Sequence, residues 1–239
     1  MAGHSKWANI KHRKGKADIK KGKIFSRIAK EIISAVKVGG SGDPKSNPRL
    51  RLALTKAREA NVPNEIVDRN IKKASSADQA DYHELTYELY GYGGVGLIVE
   101  VMTDNKNRIS SEMRIATNKR GGTIATPGSV AFNYDQRGVI QIPKAGINED
   151  DLFLIATEAG ALDFEAEGEL FIITTDPNDL YAVKEALTAK GIKCEEASLE
   201  MIPKTTVEVE EEAAKSNWAL IEWLEGLEDV DAVYHNMSE

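Results

Sequence analysis

Residues 87–108 read Tyr87-Glu88-Leu89-Tyr90-Gly91-Tyr92-Gly93-Gly94-Val95-Gly96-Leu97-Ile98-Val99-Glu100-Val101-Met102-Thr103-Asp104-Asn105-Lys106-Asn107-Arg108. Two apolar stretches, 87–90 and 95–103, flank a glycine-rich turn and read as strands. Gly91 to Gly96 formally matches G-x-G-x-x-G. A dinucleotide site needs that motif between a strand and a helix. Here a strand follows, so the glycines are read as a turn between strands. The next helix is predicted over 107–120, ended by Gly121-Gly122. At its start, Asp104, Asn105 or Asn107 is a candidate cap. The alternative is an anion held by the helix start with Lys106 and Arg108.

Outward from this stretch, strand and helix keep alternating. Strands at 130–134 and 138–142 are predicted to bracket a hairpin at Asp135-Gln136-Arg137-Gly138. Helices follow over 149–159, 179–190 and 211–227. Strands are predicted at 162–166, 169–174, 194–201 and 230–235, with a short extended piece at 206–209. Toward the N-terminus come three helices, over 18–38, 48–60 and 63–74. Asp18 and Gly39-Gly40 bound the first, and Pro63 opens the third. The predicted class is α+β: an N-terminal three-helix domain followed by strand–helix–strand units in the ferredoxin-like, split βαβ style. Ser75-Ser76 reads as a linker.

The 239 residues carry a net charge of −7, distributed unevenly. Residues 1–75 hold 19 Lys/Arg against 6 Asp/Glu, whereas residues 76–239 hold 12 against 32. A local excess of +13 followed by −20 directs the basic end toward a polyanion, because ligands respond to local potential. In the first predicted helix Ile24, Phe25, Ile28, Ile32, Ala35 and Val36 share one face. Lys20, Lys23, Arg27, Lys30 and Lys37 share the opposite one, read as solvent-facing. Ahead of it, residues 1–17 show no periodicity and are read as a flexible arm. There Lys6, Lys11, His12, Arg13, Lys14 and Lys16 are candidate phosphate contacts. Trp7 either stacks on unpaired bases or folds back as an apolar anchor. Further candidates are Arg49, Arg51, Arg58, Lys72 and Lys73, on a helix pair whose tight turn resembles a helix-turn-helix, or simply a small bundle.

No catalytic set is visible. His4, His12, His83 and His235 lack metal-ligand spacing, and the single Cys194 excludes an internal disulfide and a multi-Cys zinc site. No cofactor, metal or small-molecule substrate is expected, and no apolar run reaches membrane-span length. The N-terminus lacks a secretory apolar core, so a cytoplasmic protein is expected.

The stretch Ala2-Gly3-His4-Ser5-Lys6-Trp7-Ala8-Asn9-Ile10-Lys11-His12-Arg13-Lys14 resembles the YebC/PmpR family. So do Asn47-Pro48-Arg49-Leu50-Arg51, Tyr90 to Gly96, Thr103 to Arg108, Gly128-Ser129-Val130 and Val233-Tyr234-His235-Asn236. Tyr92 and Gly93 depart from that pattern, where a small residue and proline are expected. Ile109 departs too, in place of threonine. The resemblance implies an N-terminal domain over 1–75, an α/β domain from 76–128 and 206–239, and a further α/β domain at 129–205 inserted into it. It also implies a non-enzymatic nucleic-acid-binding protein. Bacterial members are classed as DNA-binding transcriptional regulators. The mitochondrial translational activator of cytochrome oxidase subunit I and other relatives act on the ribosome. The expected partner is therefore DNA, or alternatively RNA of the ribosome.

Overall fold

The computed structural model describes Trp7, residues 17–74 and residues 81–238, of which residues 17–21 are described as backbone only. The arm residues Lys6, Lys11, His12, Arg13, Lys14 and Lys16 and the linker at Ser75-Ser76 lie outside this set. The class is α+β. Phe132–Thr206 form one compact unit, and the described residues on either side of it in sequence form the other.

The first unit begins with α1 (Ala17–Gly39), α2 (Pro48–Glu59) and α3 (Asn64–Ala74). Ile28, Ile32, Ile33 and Val36 of α1 are buried with Leu50, Ala53 and Ala57 of α2 and Val67 and Ala74 of α3. Truncating a fully buried residue such as Ile32 to Ala typically costs about 2–5 kcal/mol. Asn47 joins two helix ends. Its Oδ1 accepts from Leu50 N at 3.1 Å, capping α2, while its Nδ2 donates to Ala35 O and Ser41 O, both at 2.8 Å.

The same unit continues with β1 (His83–Tyr90), β2 (Gly96–Thr103), α4 (Lys106–Arg120) and β3 (Thr123–Ile124). Its antiparallel sheet has the order β3-β1-β2-β8, β8 being the last strand (Val230–His235). Between β1 and β2 the glycines form a single 3-10 turn, with Gly93 at φ 68° and Gly94 at φ 81°. The left-handed backbone there favours glycine. One sheet face packs Leu97, Val99 and Val101 against Ile109 and Met113 of α4 and Leu220 and Leu224 of α7 (Glu211–Gly226). On the other face Ile98, Met102 and Tyr234 are buried too. Burial on both faces explains why β2 is apolar on both sides, interrupted only by the half-buried Glu100, instead of alternating with polar residues. β1 begins at His83, four residues earlier than 87, because His83, Glu84, Leu85 and Thr86 pair with β2 along a stretch in which only Leu85 turns toward the core.

Where the chain leaves this sheet, the Glu88 carboxylate accepts backbone N–H bonds from Gly128, Val130 and Ala131, the last two at 2.7 and 2.8 Å. Burial pushes the Glu88 carboxyl up, but the three donors outweigh it and hold its pKa below the usual range.

The second unit runs β4 (Tyr134–Pro143), α5 (Glu149–Glu158), β5 (Asp163–Glu167), β6 (Leu170–Thr175), α6 (Leu180–Ala189), β7 (Glu196–Pro203). Its sheet order is β5-β6-β4-β7, the split βαβ arrangement. Ile140, Ile142, Phe171 and Ile173 pack under Leu152, Leu180, Val183 and Leu187.

The hairpin expected around Gly138 does not form. Residues 134–143 are one strand, paired with β7 over 134–141 and with β6 over 138–143. Gly138 serves close approach instead of a turn. A Cβ there would lie 2.2 Å from Thr175 Oγ1 and 2.9 Å from Leu180 Cβ. Gly138→Ala is therefore expected to cost about 1–3 kcal/mol by overpacking. Gly226→Ala, which meets nothing within 4 Å, should be neutral or stabilising by up to about 1 kcal/mol. Urea denaturation of both variants checks the contrast.

Candidate nucleic-acid interface

The basic face of α1 is not a solvent face. Lys30 is only 8% exposed. Its Nζ donates to Met102 O at 3.1 Å, Glu228 O at 3.0 Å and Asp229 Oδ1 at 3.2 Å. Lys23 Nζ donates to Leu227 O at 3.2 Å. Arg27 Nε stands 3.3 Å from Glu31 Oε1 and 4.0 Å from Asp231 Oδ2. The stripe is thus turned onto the acidic segment 225–231 that leads into β8. Burial lowers the Lys23 pKa, with Glu225 and Asp231 opposing. Burial raises that of Asp231, with Arg27 and Lys30 opposing. The helical period separates apolar from charged faces but cannot say that an acidic loop some two hundred residues away covers the charged one.

Asp229 is the centre of this contact and is 2% exposed. Besides Lys30, it accepts from Thr103 Oγ1 at 2.8 Å and from Arg108 Nε at 3.1 Å and Nη2 at 2.5 Å. Burial pushes its carboxyl up. Hydrogen bonds from Arg108, Thr103 and Lys30 outweigh that and hold the pKa below the ordinary range. Asn105 caps α4, its Oδ1 accepting from Asn107 N and Arg108 N at 3.1 Å each. With those amides capped and Arg108 engaged by Asp229 and Asp104, the start of α4 is closed by its own residues rather than open to an anion.

Trp7 is 1% exposed, so its indole takes the anchoring alternative and offers no face to a base. Lys20 lies in the first turn of α1. Arg49, Arg51, Arg58, Lys72 and Lys73 of α2 and α3 are exposed, as is Arg69. Arg51 spends part of its guanidinium on Pro44 O at 3.2 Å and Lys45 O at 3.3 Å. Lys56 and Lys37 pair with Glu31 and Asp81. Within the helical domain the exposed Arg49, Arg58, Arg69 and Lys72 of α2 and α3 offer positive charge at the surface, with Glu65 and Asp68 at the start of α3 as local opposition. Among the described residues no group of three or more His, Cys, Asp or Glu is placed to hold a metal ion, and no helix is long and apolar enough to cross a membrane.

Two family descriptions match this chain: the TACO1/YebC protein N-terminal domain over residues 5–77 and the TACO1/YebC second and third domain over residues 82–237. The chain belongs to the TACO1/YebC family. It is 74% identical over 237 residues to "Probable transcriptional regulatory protein pc1328" of Protochlamydia amoebophila, covering 99% of this chain and 96% of that one. It is 58% identical to a "Probable transcriptional regulatory protein" of Chlamydia muridarum across the full length of both. The crystal structure of the conserved hypothetical protein Aq1575 from Aquifex aeolicus matches with a TM-score of 0.84 at 40% identity, covering 98% of this chain and 96% of that one.

Several stretches that carry the family resemblance meet in the fold. Asn236 Oδ1 accepts from Gly96 N at 2.8 Å, joining the glycine turn to the end of β8. Asn217 of α7 brackets Tyr92, accepting from its N–H at 2.8 Å and donating to its carbonyl at 3.0 Å. These residues build the scaffold rather than a reactive site.

Asp229→Ala leaves Lys30 buried without its carboxylate and is expected to destabilise by about 3–5 kcal/mol, read by urea denaturation. The pH dependence has a definite sign. A folded-state pKa below the unfolded value of about 4 gives stability that is full above that pH and lost as pH falls through the lower folded value. The fall in melting temperature between neutral pH and about pH 3 should therefore be smaller in Asp229→Asn than in the parent protein.

Proposed function

We propose that this chain is a non-enzymatic regulatory protein of the cytoplasm that binds nucleic acid through its first 75 residues, with DNA as the target and transcription as the process regulated. The observation that carries this reading is the segregation of charge, +13 in residues 1–75 against −20 in the remainder. The exposed cations of α2 and α3 lie in that segment. The acidic remainder is repelled by phosphate and so orients the protein. The names of its relatives as transcriptional regulatory proteins point the same way. Burial of Trp7 favours backbone neutralisation over base stacking as the source of affinity.

The triple variant Arg49→Gln, Arg58→Gln, Lys72→Gln tests the surface. Each change is at an exposed site, so stability should move by within about 0.5 kcal/mol per residue. On duplex DNA the log–log salt slope should flatten by roughly 2.7, the value for three lost phosphate contacts. Fluorescence anisotropy across a salt series measures both affinity and slope. Unchanged affinity and slope would refute the proposed surface. Co-sedimentation with ribosomes that survives DNase but not RNase would replace DNA by ribosomal RNA as the target.

A further inference from the structure

We propose that the solvent face of α4 is a second nucleic-acid contact, in which Arg114 and Lys119 meet backbone phosphates while Asn107 and Asn118 supply hydrogen-bonding amides. The inference rests on the nucleic-acid reading above and adds a site outside the basic segment. Of the 12 Lys/Arg in residues 76–239, five fall within the fifteen residues of α4: Lys106, Arg108, Arg114, Lys119 and Arg120. Its one acid is Glu112.

These cations differ in what occupies them. Arg108 is held by Asp229 and Asp104, and the Arg120 guanidinium stands 5.0 Å over the Trp223 ring. Arg114 and Lys119 are exposed, and among the described residues no carboxylate lies within 4.0 Å of either. Asn107, Ser111, Arg114 and Asn118 follow one another at helical spacing in a single exposed row. Lys119 and the half-exposed Ile115 flank it. The row extends for roughly 16 Å along the helix axis, more than the major-groove width of about 12 Å.

A merely solvated helix mixes signs and forms i,i+4 pairs. The neighbouring helix α7 does so: it carries Glu211, Glu212, Glu222 and Glu225, and Lys215 pairs with Glu211. α4 packs on the same sheet face with the opposite charge. A protein-docking face would centre on buried aromatic or aliphatic anchors. Here the apolar content of the exposed row and its flanks is Ile115 alone, and amides, cations and the Ser111 hydroxyl form the rest, the composition that meets phosphate and sugar.

The test uses the full chain carrying Arg114→Gln and Lys119→Gln, with a control carrying Lys190→Gln and Lys193→Gln, an equal loss of charge from exposed positions at the end of α6 and just beyond it. Binding to a duplex DNA and to a structured RNA is measured by anisotropy over a salt series, with thermal melting alongside. All three proteins should melt alike. The α4 variant should bind at least one probe roughly ten- to sixty-fold more weakly at 0.1 M salt, with a slope shallower by up to about 1.8, and the control should bind like the parent. Parent-like binding by the α4 variant, with a binding parent, overturns this second contact and leaves the first surface standing. An equal loss in the control overturns it too, by reducing the effect to bulk charge. A parent that binds neither probe overturns both this inference and the reading beneath it.

Discussion

A buried carboxylate with three partners organises the first unit. Asp229 takes Lys30 from α1, Thr103 from the end of β2 and Arg108 from the first turn of α4, and so ties the helical domain to the sheet. Burying such charges is costly, and an apolar replacement of the whole cluster would often be no less stable. The cluster's advantage is direction. A carboxylate with 2% exposure tolerates only an arrangement that brings all its donors within hydrogen-bond reach. It thereby sets which face of α1 meets the sheet and leaves α2 and α3 with the outward cations.

That placement divides the positive charge of the N-terminal segment into two parts. Lys23, Arg27 and Lys30 neutralise the acidic approach to β8 from within. Arg49, Arg58, Arg69 and Lys72 remain at the surface. The internal share makes the field outside smaller than the residue count suggests. The acidic approach to β8 is in turn partly quenched by these cations.

The junctions are built from side-chain amides and carboxylates acting on backbone. Asn47 joins α1 to α2, Asn217 and Asn236 fasten the glycine turn, and Glu88 collects the N–H groups of the segment leading toward the second unit. Each satisfies main-chain groups that a turn or chain exit leaves without ladder partners. These are positions where a short polar side chain cannot be exchanged for an apolar one of similar size without leaving buried polar atoms unpaired.

Local chemistry was enough to read much of this protein. Apolar periodicity marked α1 and most of its core residues, although Ile24 is exposed and the buried Ile33 lay outside the expected face, and the strand after Gly96 excluded a dinucleotide fold. Asn105 was among the legible caps, and the split of charge along the chain needed only counting. These features depend on neighbours a few residues apart, which sequence spacing encodes directly. Other features depend on distant segments. Gly138 looked like a turn residue because its need for space comes from Thr175 and Leu180 across the sheet. Lys30 looked solvated because its partners at Met102 and residues 228–229 lie in strands and loops that only folding brings near. Trp7 stood between two readings until burial decided it. The free cations of α4 were legible as letters, yet which of them stay free was decided by Asp229 and Trp223, whose positions belong to the tertiary structure.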